Sequence, residues 1–525
     1  MAATAQPWGP AECLLWNYGG LMTDRSGELP RLAAQVLQPG FEGTTPPAWI
    51  RRWLGEGLGG VALFARNVED PEQVSRLTAA LRAERPDVVV AIDEEAGDVT
   101  RFESRRGSSR PGNLALGTID DPALTEAVAR DIGAELAAAG ITLNYAPDAD
   151  VNSNPGNPVI GVRSFGADPA LVARHTAAWI TGLQSGGVAA CAKHFPGHGD
   201  TSVDSHVDVP RIASDRDRLD TCELPPFRAA IAAGVQAIMT GHLLVPAVDP
   251  RHPATLSRLV LSDLLRGELG FNGVIVTDAI EMKAITDRYG FEAGTVRALA
   301  AGADAICIGG ELSDEDSADR LRRAIVAAVV DGTLPEERLV EAAKRVDELA
   351  AWTMQSRSGL GPWAGHGPDG SPIGLAAARR AVRVTVAGGH VPLPLTGPAH
   401  VIEFAPPRNI AIGAETPWGV GAPLTDLLPG TTTARLDEAD LPAGGEPPAA
   451  LLAAAAGRSL VLVVRDLHRH PWMAAAVDRA LSARPDAIVV EMGLPVTVTG
   501  QAHLATYGAT RAGARAAAEL LAGTS

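Results

Sequence analysis

The chain has little that would suit it to a polyanion or a membrane. Its 525 residues carry 62 acidic against 45 basic side chains, for a formal charge of −17 and a pI near 5.2. A field of that sign repels nucleic acid and anionic lipid and leaves small neutral ligands unaffected. No stretch approaches the ~20 apolar residues of a membrane span. The first residues, MAATAQPWGPAECLLWNYGG, lack the basic start and apolar run of a signal peptide, so the expected location is cytoplasmic. Aromatic residues make up only 4%, while Ala, Gly and Pro are abundant. The four cysteines, Cys13, Cys191, Cys222 and Cys307, show no CxxC spacing, which excludes a disulfide framework and a zinc ribbon. Cys191 and Cys307 fall in apolar runs, where a thiol acts as a small buried hydrophobe.

What is present is alternation. Apolar runs at 33–37, 60–65, 87–93, 141–147, 187–194, 235–242, 273–279 and 303–310 read as parallel strands covered on both faces. Between them lie helical stretches such as 71–84, 122–140 and 169–187, several of which end in Gly. Eight such units in about 320 residues predict a TIM-like (β/α)8 barrel, with a doubly wound open sheet as the competing arrangement. A helix over 333–350 closes this unit, and a stretch rich in Gly, Pro and Ser at 356–374 reads as a linker. Further apolar runs at 381–388, 400–405, 459–466 and 486–493, with helices at 375–381, 471–484 and 511–522, predict a smaller α/β sandwich. That segment lacks a GxGxxG turn, a P-loop and metal-ligand spacing, and the default role for it is structural. The expected division is a catalytic barrel domain at 1–350, a linker at 351–374 and the C-terminal domain at 375–525.

Polar residues gather at the ends of the predicted strands. In a barrel these positions share one mouth, where chemistry is done. The densest group is KHFPGHGDTSVDSHVDVP at 193–210, with Lys193, His194, His198, Asp200, Asp204, His206 and Asp208. Two chemistries fit it. His and Asp could bind a divalent metal, although the Lys193 ammonium would repel the cation. Alternatively Asp204 could orient His206 as a proton shuttle, with Lys193 and His194 donating hydrogen bonds to sugar hydroxyls. Asp278 ends the run VIVTDAIEM (274–282); a carboxylate there is either a helix N-cap or a group aimed at an anomeric carbon. Asp93, at the end of another run, suits vicinal hydroxyls, with Arg101 a short loop later and Arg163 in a turn-rich loop.

These motifs together resemble glycoside hydrolase family 3 in its β-N-acetylglucosaminidase branch, over about residues 35–310. The resemblance is carried by GFEGTTPP (40–47), LGGVALFARNVEDPEQ (58–73), the IDEE stretch, NPVIGVRSFG, KHFPGHGDTSVDSHVDVP and TDAIEM. It implies a retaining enzyme that removes terminal β-linked N-acetylglucosamine by double displacement. Asp278 would be the nucleophile, and His206, paired with Asp204, the general acid/base. Asp93, Arg163, Lys193, His194 and Arg101 would hold the sugar. No cofactor and no metal are implied, and the expected partner is a small N-acetylglucosamine-containing glycoside, such as a peptidoglycan fragment in wall recycling or a chitin-derived sugar. A neutral histidine base also leaves room for phosphate as acceptor, which would make the enzyme a phosphorylase. A sugar-binding protein on a dead barrel and a metal-dependent hydrolase are the rivals from other classes. The chain departs from the usual DQEGGRVxR where it reads DEEAGDVTR, so that Ala96 replaces a glycine and Asp98 a basic residue.

Overall fold

The computed structural model describes residues 25–201, 209–361, 363–387, 393–407, 411–413, 416–441 and 453–524. Its strands are β1 (Leu37–Pro39), β2 (Gly60–Leu63), β3 (Val89–Ile92), β4 (Leu143–Asn144), β5 (Ala189–Phe195), β6 (Ala237–Thr240), β7 (Val274–Thr277), β8 (Ile306–Ile308), β9 (Arg383–Val386), β10 (Ala399–Phe404), β11 (Thr432–Leu436), β12 (Ser459–Val464), β13 (Ile488–Glu491) and β14 (Ala502–Ala505). Strands β2 to β7 form one parallel sheet in chain order, and β1 pairs with β8. A parallel bridge between Val276 and Ala305 ties β8 to β7. The result is an α/β fold on a half-barrel of parallel strands; among the described residues no ladder joins β1 to β2.

Why these runs become strands is visible in where alternate residues go. Ala62, Val89, Ala91, Leu143, Ala189, Cys191, Ala237, Val276 and Cys307 form one buried cluster on the inner face. Val61, Leu63, Val90, Ile92, Ala190, Ile238, Ile275 and Ile306 pack on the other face within the helix-lined core. Both faces are dry, so the runs read as continuously apolar. Cys191, Cys222 and Cys307 are free and buried.

The helices at Pro71–Glu84, Pro122–Ala138 and Pro169–Ser185 begin with an aspartate N-cap followed by proline, which fixes each start. One expectation is overturned. The run at 33–37 is not a strand: Arg25–Gln35 is helical and the strand follows at Leu37–Pro39. Leu32, Ala33 and Val36 recur at helical spacing and are buried, so the short apolar run was part of an amphipathic helix. The helix expected over 333–350 starts at Glu336 and continues to Arg357.

The second sheet has the order β11-β10-β12-β13-β14-β9, parallel except for β9, which runs antiparallel to β14. Val401, Val461 and Val490 face the helix Arg511–Ala522, while Ile402, Leu462 and Val489 face the helix Pro471–Ala483. No helix among the described residues is long and apolar enough to cross a membrane.

Candidate active site

The C-terminal ends of β3, β5 and β7 meet at a cavity of about 380 Å3. Its lining includes Asp93, Arg101, Arg163, Lys193, His194 and Asp278, so six of the eight sequence-predicted site residues are brought together. The other two, Asp204 and His206, lie outside the described residues.

A buried ionic network forms the floor. Lys193, 2% exposed, donates to Asp93 and lies 2.6 Å from Glu95 Oε1. Arg163 grips Glu95 with both arms of its guanidinium, Nε to Oε2 at 2.9 Å and Nη2 to Oε1 at 2.7 Å. Burial alone would push the Glu95 carboxyl up, but the Arg163 and Lys193 charges hold it well below the usual range. The same exchange raises Lys193 and Arg163: burial works against their charge, and Glu95 with Asp93 outweighs it. All three are ionised, and the cationic side of the network faces the cavity through Lys193 and Arg163.

His194 is held from beneath. Its Nδ1 lies 2.8 Å from Asp150 Oδ2, and its backbone N–H donates to Asp150 Oδ1 at 3.1 Å. The backbone N–H of His198 also donates to Asp150, at 2.7 Å. Burial would raise the Asp150 carboxyl; the pull of His194 keeps it low. Asp148, beside it, is pushed well up by burial and by Asp150, so this pair holds one charge rather than two. The ligand atoms of Asp148, Asp150 and His194 lie within 4.8 Å of one another, as a metal site would require. The positive charge beside them, however, comes from Arg163, 3.7 Å from Asp148 Oδ2. A second cation there would meet that guanidinium.

Asp278 follows β7 and is half-buried, with Oδ1 accepting from the Ala279 N–H at 2.8 Å. His242, at the end of β6, contacts the Ala279 carbonyl through Nε2 at 3.0 Å and so braces the backbone beside Asp278. Arg101 links two regions: Nη2 donates to Asp93 Oδ2 at 3.2 Å and Nη1 to the Ala411 carbonyl at 2.9 Å, in the segment after β10. Ala411 and Gly413 also line the cavity.

Nothing in the sequence marks Glu95 or Asp150 as site residues, and His198 is one of three histidines in the 193–210 group with no role attached to it. His198 is 2% exposed and lines the cavity. The Thr201 hydroxyl donates to the His198 carbonyl at 3.0 Å, so His198 Nδ1, 2.7 Å from the same oxygen, is the donor to it. Nε2 is then an acceptor, and it has no hydrogen-bond partner among the described residues. Burial pushes this imidazole down to about 4, which keeps it neutral. The loop geometry that presents it requires Gly199, where a Cβ would meet the Val151 carbonyl oxygen at 1.7 Å. The signal in the sequence was the spacing K-H-x-x-x-H, which cannot say which histidine reaches the mouth.

Comparison with known proteins adds a lineage to this geometry. The family model described as glycosyl hydrolase family 3 N terminal domain matches residues 34–349. A beta-hexosaminidase A of Pseudoalteromonas piscicida is 35% identical over 341 residues, 60% of this chain and 57% of that protein. A beta-hexosaminidase of Nitrosomonas eutropha is 41% identical over 288 residues, 53% of this chain and 81% of that one. The chain thus spans little more than half of the first relative and four fifths of the second. Among solved structures, a glycoside hydrolase family 3 beta-N-acetylglucosaminidase from Paenibacillus sp. str. FPU-7 superposes with a TM-score of 0.82 at 35% identity. That superposition covers 94% of this chain and 97% of the other.

Proposed function

Because the chain belongs to glycosyl hydrolase family 3, we propose that it is a retaining β-N-acetylglucosaminidase acting on a small glycoside with terminal β-linked N-acetylglucosamine. The observation that carries this reading is the shared cavity: Asp278 opens onto the same space as Asp93, Arg101, Arg163, Lys193 and His194. A carboxylate facing a rim of paired donors and acceptors suits attack on an anomeric carbon while the hydroxyls are held. The names of the similar enzymes support the substrate class.

In this reading Asp278 attacks the anomeric carbon and forms a glycosyl-enzyme. The leaving oxygen takes its proton from His206, oriented by Asp204. These two roles rest on the resemblance of DSH (204–206) alone. Water, deprotonated by the same imidazole, then releases the sugar with retained configuration. Lys193 and Arg101 orient the Asp93 side chain as an acceptor for hydroxyls, and Asp150 fixes the ring of His194. We assign residues 1–350 to a complete (β/α)8 catalytic barrel, 351–374 to a linker and 375–525 to an α/β sandwich, with the cytoplasm as the site of action.

The test is product identification from a chromogenic β-N-acetylglucosaminide, with and without phosphate, in the presence of chelator. Free N-acetylglucosamine at equal rates in both conditions supports the proposal. N-acetylglucosamine 1-phosphate at a rate rising with phosphate would replace hydrolysis by phosphorolysis. Loss of activity with chelator, or binding without turnover, would overturn it.

A further inference from the structure

The loop between β3 and the following segment has its two feet at the cavity and its tip elsewhere. Asp93 and Arg101, the feet, face each other at 3.2 Å. Between them the chain makes a tight turn closed by the Glu95 N–H to the Val99 carbonyl at 3.1 Å and by an antiparallel bridge between Ala96 and Val99. Glu94 stiffens it from inside. Its carboxyl accepts from the Ala96 N–H at 3.1 Å, the Thr100 hydroxyl at 2.9 Å, the Arg101 N–H at 2.9 Å and the Phe102 N–H at 2.8 Å. A turn tied at so many points moves as a unit, so a displacement of its tip is passed to its feet.

The tip is Asp98, and the residues around the second sheet hold it. Its carboxylate pairs with Arg465, which follows β12, and accepts the Ala509 N–H at 2.6 Å. The side chains of Asp98 and Arg465 are 1% and 9% exposed, so the pair is largely removed from water. Further along the same loop, Glu103 meets Arg511 at 3.0 Å, and the Ala512 N–H donates to the Ser108 carbonyl at 3.2 Å.

Stability alone does not account for the pair. Burial pushes the Asp98 carboxyl up even against the pull of Arg465. A buried ion pair of this kind contributes little net stability compared with apolar packing, and its better-attested use is to set register. Asp98 also stands where the family pattern has a basic residue. The polarity here is reversed, and the base comes from a position 367 residues away in the chain.

We propose that Asp98 and Arg465 are positioning residues for the sugar site: their pair registers the second sheet against the 93–101 turn and thereby fixes Asp93 and Arg101 at the cavity. The inference rests on the N-acetylglucosaminidase reading. It makes monosaccharide binding, rather than bond cleavage, dependent on the C-terminal half of the chain.

The test uses the full chain and a chromogenic β-N-acetylglucosaminide, with Asp98→Ala, Arg465→Met and the double variant. Each single change raises KM about tenfold, the scale of one lost hydrogen bond to a charged group, with kcat within about threefold of wild type. The double variant is no worse than either single one, because both remove the same contact. Should Asp98→Ala fail to fold, Arg465→Lys, which keeps the charge and loses the planar fork, gives an intermediate KM. Folded variants with wild-type KM, or variants that lose kcat alone, overturn the proposal. A wild-type chain that turns nothing over would strike the functional reading instead. Calorimetric binding of N-acetylglucosamine to the same variants then decides the positioning role, with a tenfold weaker Kd expected and an unchanged Kd contradicting it.

Discussion

The half-barrel and the second sheet end some of their parallel strands in different ways. In the second sheet, Glu491 closes β13 and its carboxyl is occupied by backbone: the Asp466 N–H at 2.8 Å, the Leu467 N–H at 3.1 Å and the Gly493 N–H at 2.7 Å. Asp466 accepts the Leu494 N–H at 2.8 Å in the same manner. In the half-barrel, Asp93, Glu95, Lys193 and Arg163 pair side chain to side chain at the edge of a cavity. Carboxylates at strand ends therefore serve two purposes. Where main-chain N–H groups fill them they are loop fasteners; where they hold cations beside open space they can meet a ligand.

The comparison breaks most visibly at Asp278. Replacing it by Asn is expected to lower kcat at least about a thousandfold, about 4 kcal/mol of transition-state stabilisation, while circular dichroism and the melting temperature stay near wild type. Well-folded Asp278→Asn with more than a tenth of the activity would remove the nucleophile from the account.

The next effect sets the two kinds of carboxylate against each other. Glu95→Gln leaves Lys193 and Arg163 under-compensated in a dry site and is expected to cost about 3–5 kcal/mol by chemical denaturation. Glu491→Gln, which replaces a backbone-bound carboxyl by a neutral acceptor, is expected to cost about 1 kcal/mol. Equal losses would mean that the two sites do not differ as described.

A third test uses pH. Burial raises the Glu491 carboxyl from an ordinary 4.5 to about 7. Between those values the folded form keeps a proton that the unfolded form has lost. Its contribution to stability is therefore fully present below pH 4.5 and declines as the pH rises through about 7. Glu491→Gln lacks this decline, so the difference in melting temperature should shift in favour of the variant from pH 5 to pH 8. A difference independent of pH would contradict it. At His198, replacement by Ala should raise KM by up to about tenfold through loss of one acceptor, with an unchanged KM placing Nε2 away from the substrate.

Smallest is Ala96. It adopts φ 58°, in the left-handed region, at a position where the family pattern has glycine. Relief of strain and added unfolded-state freedom nearly offset one another there, and Ala96→Gly should stabilise by no more than about 1 kcal/mol. A marked loss of melting temperature in that variant would show that the methyl group packs rather than strains.

Much of this was legible in advance, for identifiable reasons. Runs such as VVVAID and VIVT read as strands because both of their faces are buried, and Asp93, Lys193, His194 and Asp278 stood out as charges ending apolar runs. β11 (TTARL) and β14 (AHLA) were missed. The first is largely exposed and the second is rich in alanine, so neither carries a β-branched apolar stretch. Glu95, Asp150 and His198 take their importance from partners remote in sequence, such as Glu95 from Arg163, 68 positions on. Asp98 departs from the family pattern, and its reason, Arg465, stands remote in the sequence. Spacing reveals local periodicity, and it does not reveal which loops meet.

As the proposed nucleophile, Asp278 would become covalently bonded to the sugar. The most direct measurement is to trap the intermediate with a fluorinated N-acetylglucosaminyl donor bearing a good leaving group, digest the protein and locate the label by mass spectrometry. One added sugar is expected on the peptide containing Asp278, and none in Asp278→Asn. A label on another carboxylate, or full turnover of the donor with no labelled peptide, would contradict it.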